Sequence, residues 1–102
     1  MNYRVLFSPE AQADLEELYD YIAGRSGEER ALGYIERIEE WIVRLESFPE
    51  RGNRRDDIRP GLRVAGYERR VSIAFQVEAE SVTILRILYA GRDLEKTFGE
   101  PE

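Results

Sequence analysis

Two consecutive stretches of helical periodicity, followed only by period-two patterning, constrain this chain more than any other feature. Ala11, Leu15, Leu18 and Ile22 recur at helical spacing. After the break "GRSG" (24–27), Ala31, Ile35, Ile38, Ile42 and Leu45 repeat the pattern, flanked by Tyr34, Trp41 and Phe48. A helix with one apolar stripe must bury that stripe, and so short a break folds the second helix back along the first. The first helix is predicted over 9–23. Ser8 offers a hydroxyl at the N-cap, Pro9 falls where a missing N–H costs nothing, and Glu10 and Asp14 suit the helix dipole. Ser26 and Glu29 have capping-box spacing for the second helix, which ends at Phe48-Pro49.

The remaining segments alternate. "YRVLF" (3–7) puts Tyr3, Val5 and Phe7 on one face of an opening strand. "LRVA" (62–65) is a short strand, with Gly66 as its turn. "RRVSIAFQV" (69–77) sets Val71, Ile73, Phe75 and Val77 against Ser72, Ala74 and Gln76. "VTILRILY" (82–89) is apolar apart from Arg86, as a central strand covered on one side would be. The fold class is therefore α+β, in the order β-α-α-β-β-β with a short C-terminal helix at 94–98. An antiparallel helical hairpin packs on one face of a small antiparallel sheet, and residues 1–102 form a single domain. The other sheet face has no obvious cover, and Arg side chains can gather there.

Composition narrows the chemistry. The chain has neither Cys nor His, so the commonest transition-metal ligands and the usual acid–base and nucleophilic groups are missing. No metal and no cofactor are expected. The adjacent Asp56 and Asp57 lie in a Pro/Gly loop, where such pairs form turns or meet Arg54, Arg55 and Arg59 more readily than they hold an ion. No apolar run approaches the roughly 20 residues of a membrane span, and "MNYRVLFSPE" is no signal peptide, so a cytoplasmic location is expected. The net charge of −6 is uneven. Residues 8–50 hold twelve acids against four bases, a net of −8, whereas residues 51–75 hold seven Arg against three acids, a net of +4. An acidic chain gains no generic affinity for nucleic acid, so no direct sequence-specific nucleic-acid binding by the chain alone is expected. A local Arg-rich face suits carboxylate partners.

Three pieces in this order, "LFSPEAQADLEELYDYIA", "RLESFPERGNRRDDIRPGLR" and "VSIAFQVEAESVTILRILYAGRDLEKTF", resemble the RelE/ParE superfamily of bacterial toxins, and within it the ParE branch. The resemblance spans residues 3–98. It implies the toxin of a type II toxin–antitoxin system that binds and poisons DNA gyrase. A cognate antitoxin would hold it inactive as a hetero-oligomer. One alternative is the RelE activity, ribosome-dependent cleavage of mRNA. Another is a detoxified relative that only binds its antitoxin.

RNA cleavage without a metal needs a group to take the 2′-hydroxyl proton, cations for the phosphorane charge and a donor for the leaving oxygen. The nuclease branch supplies these from basic strand residues, an Arg on the strand matching 71–77, a second Arg after the last strand and a terminal Tyr. Here Ser72 stands where the strand Arg would fall, and the sheet has no Lys. Arg92 matches the second Arg, and Phe98 takes the Tyr position without a hydroxyl. No catalytic residue is therefore assigned. Arg92, Leu94 and Phe98 are expected to form a docking patch for gyrase, an Arg beside apolar anchors; otherwise Asp93 caps the last helix and Arg92 makes a surface ion pair. Arg63, Arg70 and Arg86 are expected to meet antitoxin carboxylates on the uncovered sheet face, or else to be solvated there.

Overall fold

The structure is a computed structural model describing residues 2–89 and 97–98. Its elements follow the expected order. Strand β1 (Arg4–Phe7) leads through Ser8 into helix α1 (Pro9–Ser26), and helix α2 (Glu28–Val43) continues into a 3-10 turn (Arg44–Glu46). Strands β2 (Asn53–Arg54), β3 (Leu62–Tyr67), β4 (Val71–Val77) and β5 (Ser81–Tyr89) follow. Of the expected last helix, Thr97 and Phe98 are helical, and the rest of 94–98 lies outside the described residues.

Ser8 caps α1 as its position suggests, its Oγ accepting the Ala11 N–H at 3.0 Å. The capping box at the next helix does not form. Helix α1 runs on through Ser26, and Gly27 alone makes the corner, with φ +99, closing α1 by donating its N–H to the Ala23 carbonyl. That backbone conformation is cheap only for glycine. A single residue thus separates the helices and forces a tight hairpin.

The sheet is larger than expected and mixed, with strand order β1-β5-β4-β3-β2. Strand β1 lies parallel to β5, with Phe7 opposite Ile84; the other pairs are antiparallel. Two strand ends also moved. Gly66 is inside β3, and the reversal falls at Glu68 and Arg69, which both have positive φ. Asn53–Arg54 forms a fifth strand within the polar loop. Gly52 makes this possible: at φ +71, a Cβ there would sit 2.3 Å from the Val64 carbonyl oxygen.

The core lies between hairpin and sheet. Ala11, Leu18, Ile38, Ile42 and Leu45 meet Val71, Ile73, Phe75, Val82, Ile84 and Ile87, while Leu15 and Ile35 pack at its edge. The alternation of β4 is as read. In β5 it breaks, because pairing jumps from Ala74–Arg86 to Phe75–Ile84 and leaves Leu85 as an extra residue. The bulge lets Ile84 and Ile87, three positions apart, both reach the core. The opposite face is not bare, since Leu62, Ala74 and Leu88 are also buried.

Candidate interaction site

Because β1 stops at Phe7 while β5 runs to Tyr89, the outer edge of β5 has no strand partner beyond Ile84 among the described residues. Side chains from the start of α1 take over. Ser8 donates its N–H to the Ile84 carbonyl at 2.9 Å and its hydroxyl to the Leu85 carbonyl at 2.8 Å. The Asp14 carboxylate accepts the Ile87 N–H at 2.8 Å and the Arg86 guanidinium in a fork, at 2.7 and 2.9 Å. Asp14 is 3% exposed, so its charge is sustained by these donors. The same hydrogen bond holds the Arg86 guanidinium above its usual range, against the opposing effect of burial.

Arg86 is therefore not a solvated residue on an open sheet face. Its register with Ala74 keeps it on the opposite side of β5 from Ile87, yet its guanidinium is committed to Asp14 of α1. Arg63 also departs from the expectation. It lies opposite Phe75 and in step with Ala65 and Tyr67, which places it on the helix-covered face. Arg70 is exposed beside the β3–β4 turn, at the far end of β3 from Arg63. The fold does not bring the three arginines together.

The polar loop is internally satisfied. Arg55 forks onto Asp57 with both contacts at 2.9 Å, and Arg54 meets Asp56 at 3.1 Å. Asp56 also accepts the Gly61 N–H at 2.8 Å. Arg55 holds the exposed Asp57 carboxyl below its usual range. These aspartates are turn-formers and arginine partners, and no acidic cluster suited to a metal occurs among the described residues. Arg59 places its guanidinium 5.5 Å from the centre of the Phe98 ring, and Phe98 is half-buried. Arg92 and Leu94 lie outside the described residues. Ser72 is half-buried opposite Leu88, on the sheet face away from the helices.

A second polar corner forms where the end of α1 meets the β3–β4 turn. Tyr34 packs edge-on against Tyr67, with ring centres 5.8 Å apart, and Arg37 lies 5.5 Å from its ring. Its hydroxyl oxygen is buried with no hydrogen-bond partner among the described residues. Burial first, and then the charge of Glu68, push the Tyr34 hydroxyl above its usual range. Beside it, Tyr21 stacks at a tilt on Tyr89 at 5.1 Å, and Arg25 covers Tyr21 at 4.6 Å. Tyr21, Arg25, Tyr34, Glu68 and Tyr89 line an open groove of about 600 Å³ together with Leu18, Ile22 and Val71.

Asp14 and Tyr34 both escaped the sequence reading. Asp14 had a signal: it lies inside the apolar stripe of α1, between Ala11 and Leu18, and Arg86 is the one charge in an apolar strand. Two misplaced charges of opposite sign imply each other. Tyr34 had none, because a tyrosine flanking a helical stripe is ordinary core packing.

This arrangement has partner-facing surfaces and no acid–base cluster among the described residues. The family described as ParE toxin of the type II toxin–antitoxin system parDE matches residues 5–94. The chain is 33% identical over 99 residues to Toxin ParE1 of Mycobacterium tuberculosis, covering 94% of this chain and 98% of that protein. It is 31% identical over 97 residues to Toxin ParE3 of Caulobacter vibrioides, covering 95% and 96%. A chain of the chromosomal ParDE TA system from P. aeruginosa superposes with a TM-score of 0.76 at 30% identity, over 86% of this chain and 96% of that one. The chain belongs to the ParE toxin family of type II toxin–antitoxin systems.

Proposed function

We propose that the chain inhibits DNA gyrase by binding it, without catalysing a reaction, and that a cognate antitoxin neutralises it in a hetero-oligomer. Phe98 carries this reading. It occupies the position from which the nuclease branch donates a proton, yet it has no hydroxyl and its ring lies against Arg59. A half-buried aromatic beside an arginine serves as an anchor rather than as an acid. Arg92, Leu94 and Phe98 are the residues assigned to gyrase binding, and Arg63 and Arg70 add positive charge for antitoxin carboxylates. Gyrase places the activity in the cytoplasm, and no described helix is long and apolar enough to cross a membrane.

Supercoiling by purified gyrase tests the proposal. The intact chain should inhibit it, and a folded variant lacking residues 91–102 should not. Inhibition by that truncated chain would move the docking surface elsewhere. Codon-specific cuts in ribosome-bound mRNA that vanish in Arg92→Ala would instead establish the nuclease reading.

A further inference from the structure

Three features converge on the corner between α1, α2 and the β3–β4 turn. The first is the turn itself. Tyr67 accepts the Arg70 N–H at 3.2 Å, and the two central residues, Glu68 and Arg69, have φ of 53 and 63. This is the geometry of a type I′ hairpin turn, which normally takes Asn-Gly or Asp-Gly because other side chains are strained there. The second is the Tyr34 hydroxyl, buried with no hydrogen-bond partner among the described residues, on a tyrosine that lines the same groove as Glu68, Arg69 and Arg70. The third is the groove alongside, with an apolar floor of Leu18, Ile22 and Val71 and a rim carrying Arg25, Arg69 and Arg70 against Glu68. Among native proteins an unpaired buried hydroxyl and a strained turn are each exceptional, and such features gather where a partner completes the structure.

We propose that this groove is the seat of an acidic, amphipathic segment of the antitoxin, and that Tyr34 is a specificity-determining residue within it. The assignment rests on the antitoxin partnership proposed above and places its contact at the hairpin corner rather than on the uncovered sheet face. The occupant presents an apolar side chain to Leu18, Ile22 and Val71. It sets carboxylates against Arg25, Arg69 and Arg70, and it supplies the hydrogen-bond partner that Tyr34 lacks. Charge complementarity selects the occupant. The rim carries Arg25, Arg69 and Arg70 against a single acid, Glu68, and this surplus of guanidinium groups suits the carboxylates of an acidic peptide.

The test measures binding of the polypeptide encoded by the short reading frame next to this chain's gene, by calorimetric titration. Arg25→Glu changes only an exposed rim residue, and Tyr34→Phe removes only a hydroxyl; thermal unfolding of each free variant checks that it folds. Binding should weaken about tenfold or more in each variant. Free Tyr34→Phe should melt no lower than the parent, because it loses an unpaired polar group. If the parent binds and both variants bind within about twofold of it, the groove is not the seat, although the antitoxin partnership stands. If the parent does not bind that polypeptide at all, the partnership falls and the occupant falls with it. A short single-stranded oligonucleotide whose binding needs Arg25, while antitoxin binding does not, would reassign the groove to nucleic acid.

Discussion

Near the start of α1, Asp14 buries a carboxylate and gives both oxygens donors; near the end of the same helix, Tyr34 of α2 buries a hydroxyl that has no partner among the described residues. Both corners set a polar side chain of the hairpin against the sheet, and they solve opposite problems. At the first, the short β1 leaves the edge of β5 open, and Ser8 and Asp14 close it for good. At the second, the β3–β4 turn adopts a backbone that Glu68 and Arg69 tolerate poorly. A polar group buried with its partners holds a fold together, whereas one buried without them waits for a partner. The contrast separates architecture from recognition where no acid–base cluster among the described residues marks a site.

The largest effect should come from breaking the satisfied corner. Asp14→Asn keeps the shape and removes the charge, leaving Arg86 three-quarters buried without its counter-ion. Urea unfolding should show a loss of about 3 kcal/mol, the lower end for a broken buried pair, because the Arg86 side chain keeps 24% exposure. Adding Arg86→Met should restore most of that loss, since the asparagine amide oxygen can still accept the Ile87 N–H and no unpaired charge is left. No recovery in the double variant would show that the loss does not come from the orphaned guanidinium.

The unsatisfied corner should respond with the opposite sign. Replacing Glu68-Arg69 by Asn-Gly gives the turn its preferred residues and should stabilise the free chain by about 1–2 kcal/mol in the same assay. A destabilised variant would mean that the Glu68 and Arg69 side chains contribute more than the backbone loses. Tyr34→Phe should change stability least, a gain of about 1 kcal/mol or less.

The pH dependence sharpens the same point. The folded chain raises the Tyr34 hydroxyl above the ordinary tyrosine value, chiefly through burial and then through Glu68 and Tyr67, with Arg70 and Arg37 opposing. A raised value means that the folded state holds the proton more tightly than the unfolded chain. Its contribution is present in full below about pH 10 and is lost as pH rises through the higher folded value. Thermal unfolding followed across that range should fall less steeply in Tyr34→Phe than in the parent. Identical slopes would count against the burial of this hydroxyl.

Much of the architecture was legible because it depends on period. The helical stripes, the alternation of β4 and the Ser8-Pro9 start of α1 are local patterns that packing then ratifies. The departures came where one residue overrode a pattern. Gly27 replaced the capping box at Ser26, Leu85 shifted the face of everything after it in β5, and Gly52 let Asn53 and Arg54 pair with β3. The site was less legible for the same reason. Arg86 changed role through one carboxylate, Asp14, remote from it in sequence, and Arg63 turned to the helix face through its register with Phe75. The Tyr34 corner needed three dimensions, since it is built from two helices and a turn remote in sequence.

Hydrogen exchange on the chain alone and in its complex with the adjacent-frame antitoxin separates the two corners directly. Amides at 67–71 and 21–26 should slow by about tenfold or more in the complex, while the Ile87 amide, already bonded to Asp14, should not change. New protection confined to the opposite sheet face, with residues 67–71 unaltered, would contradict the assignment of the unsatisfied corner to the partner.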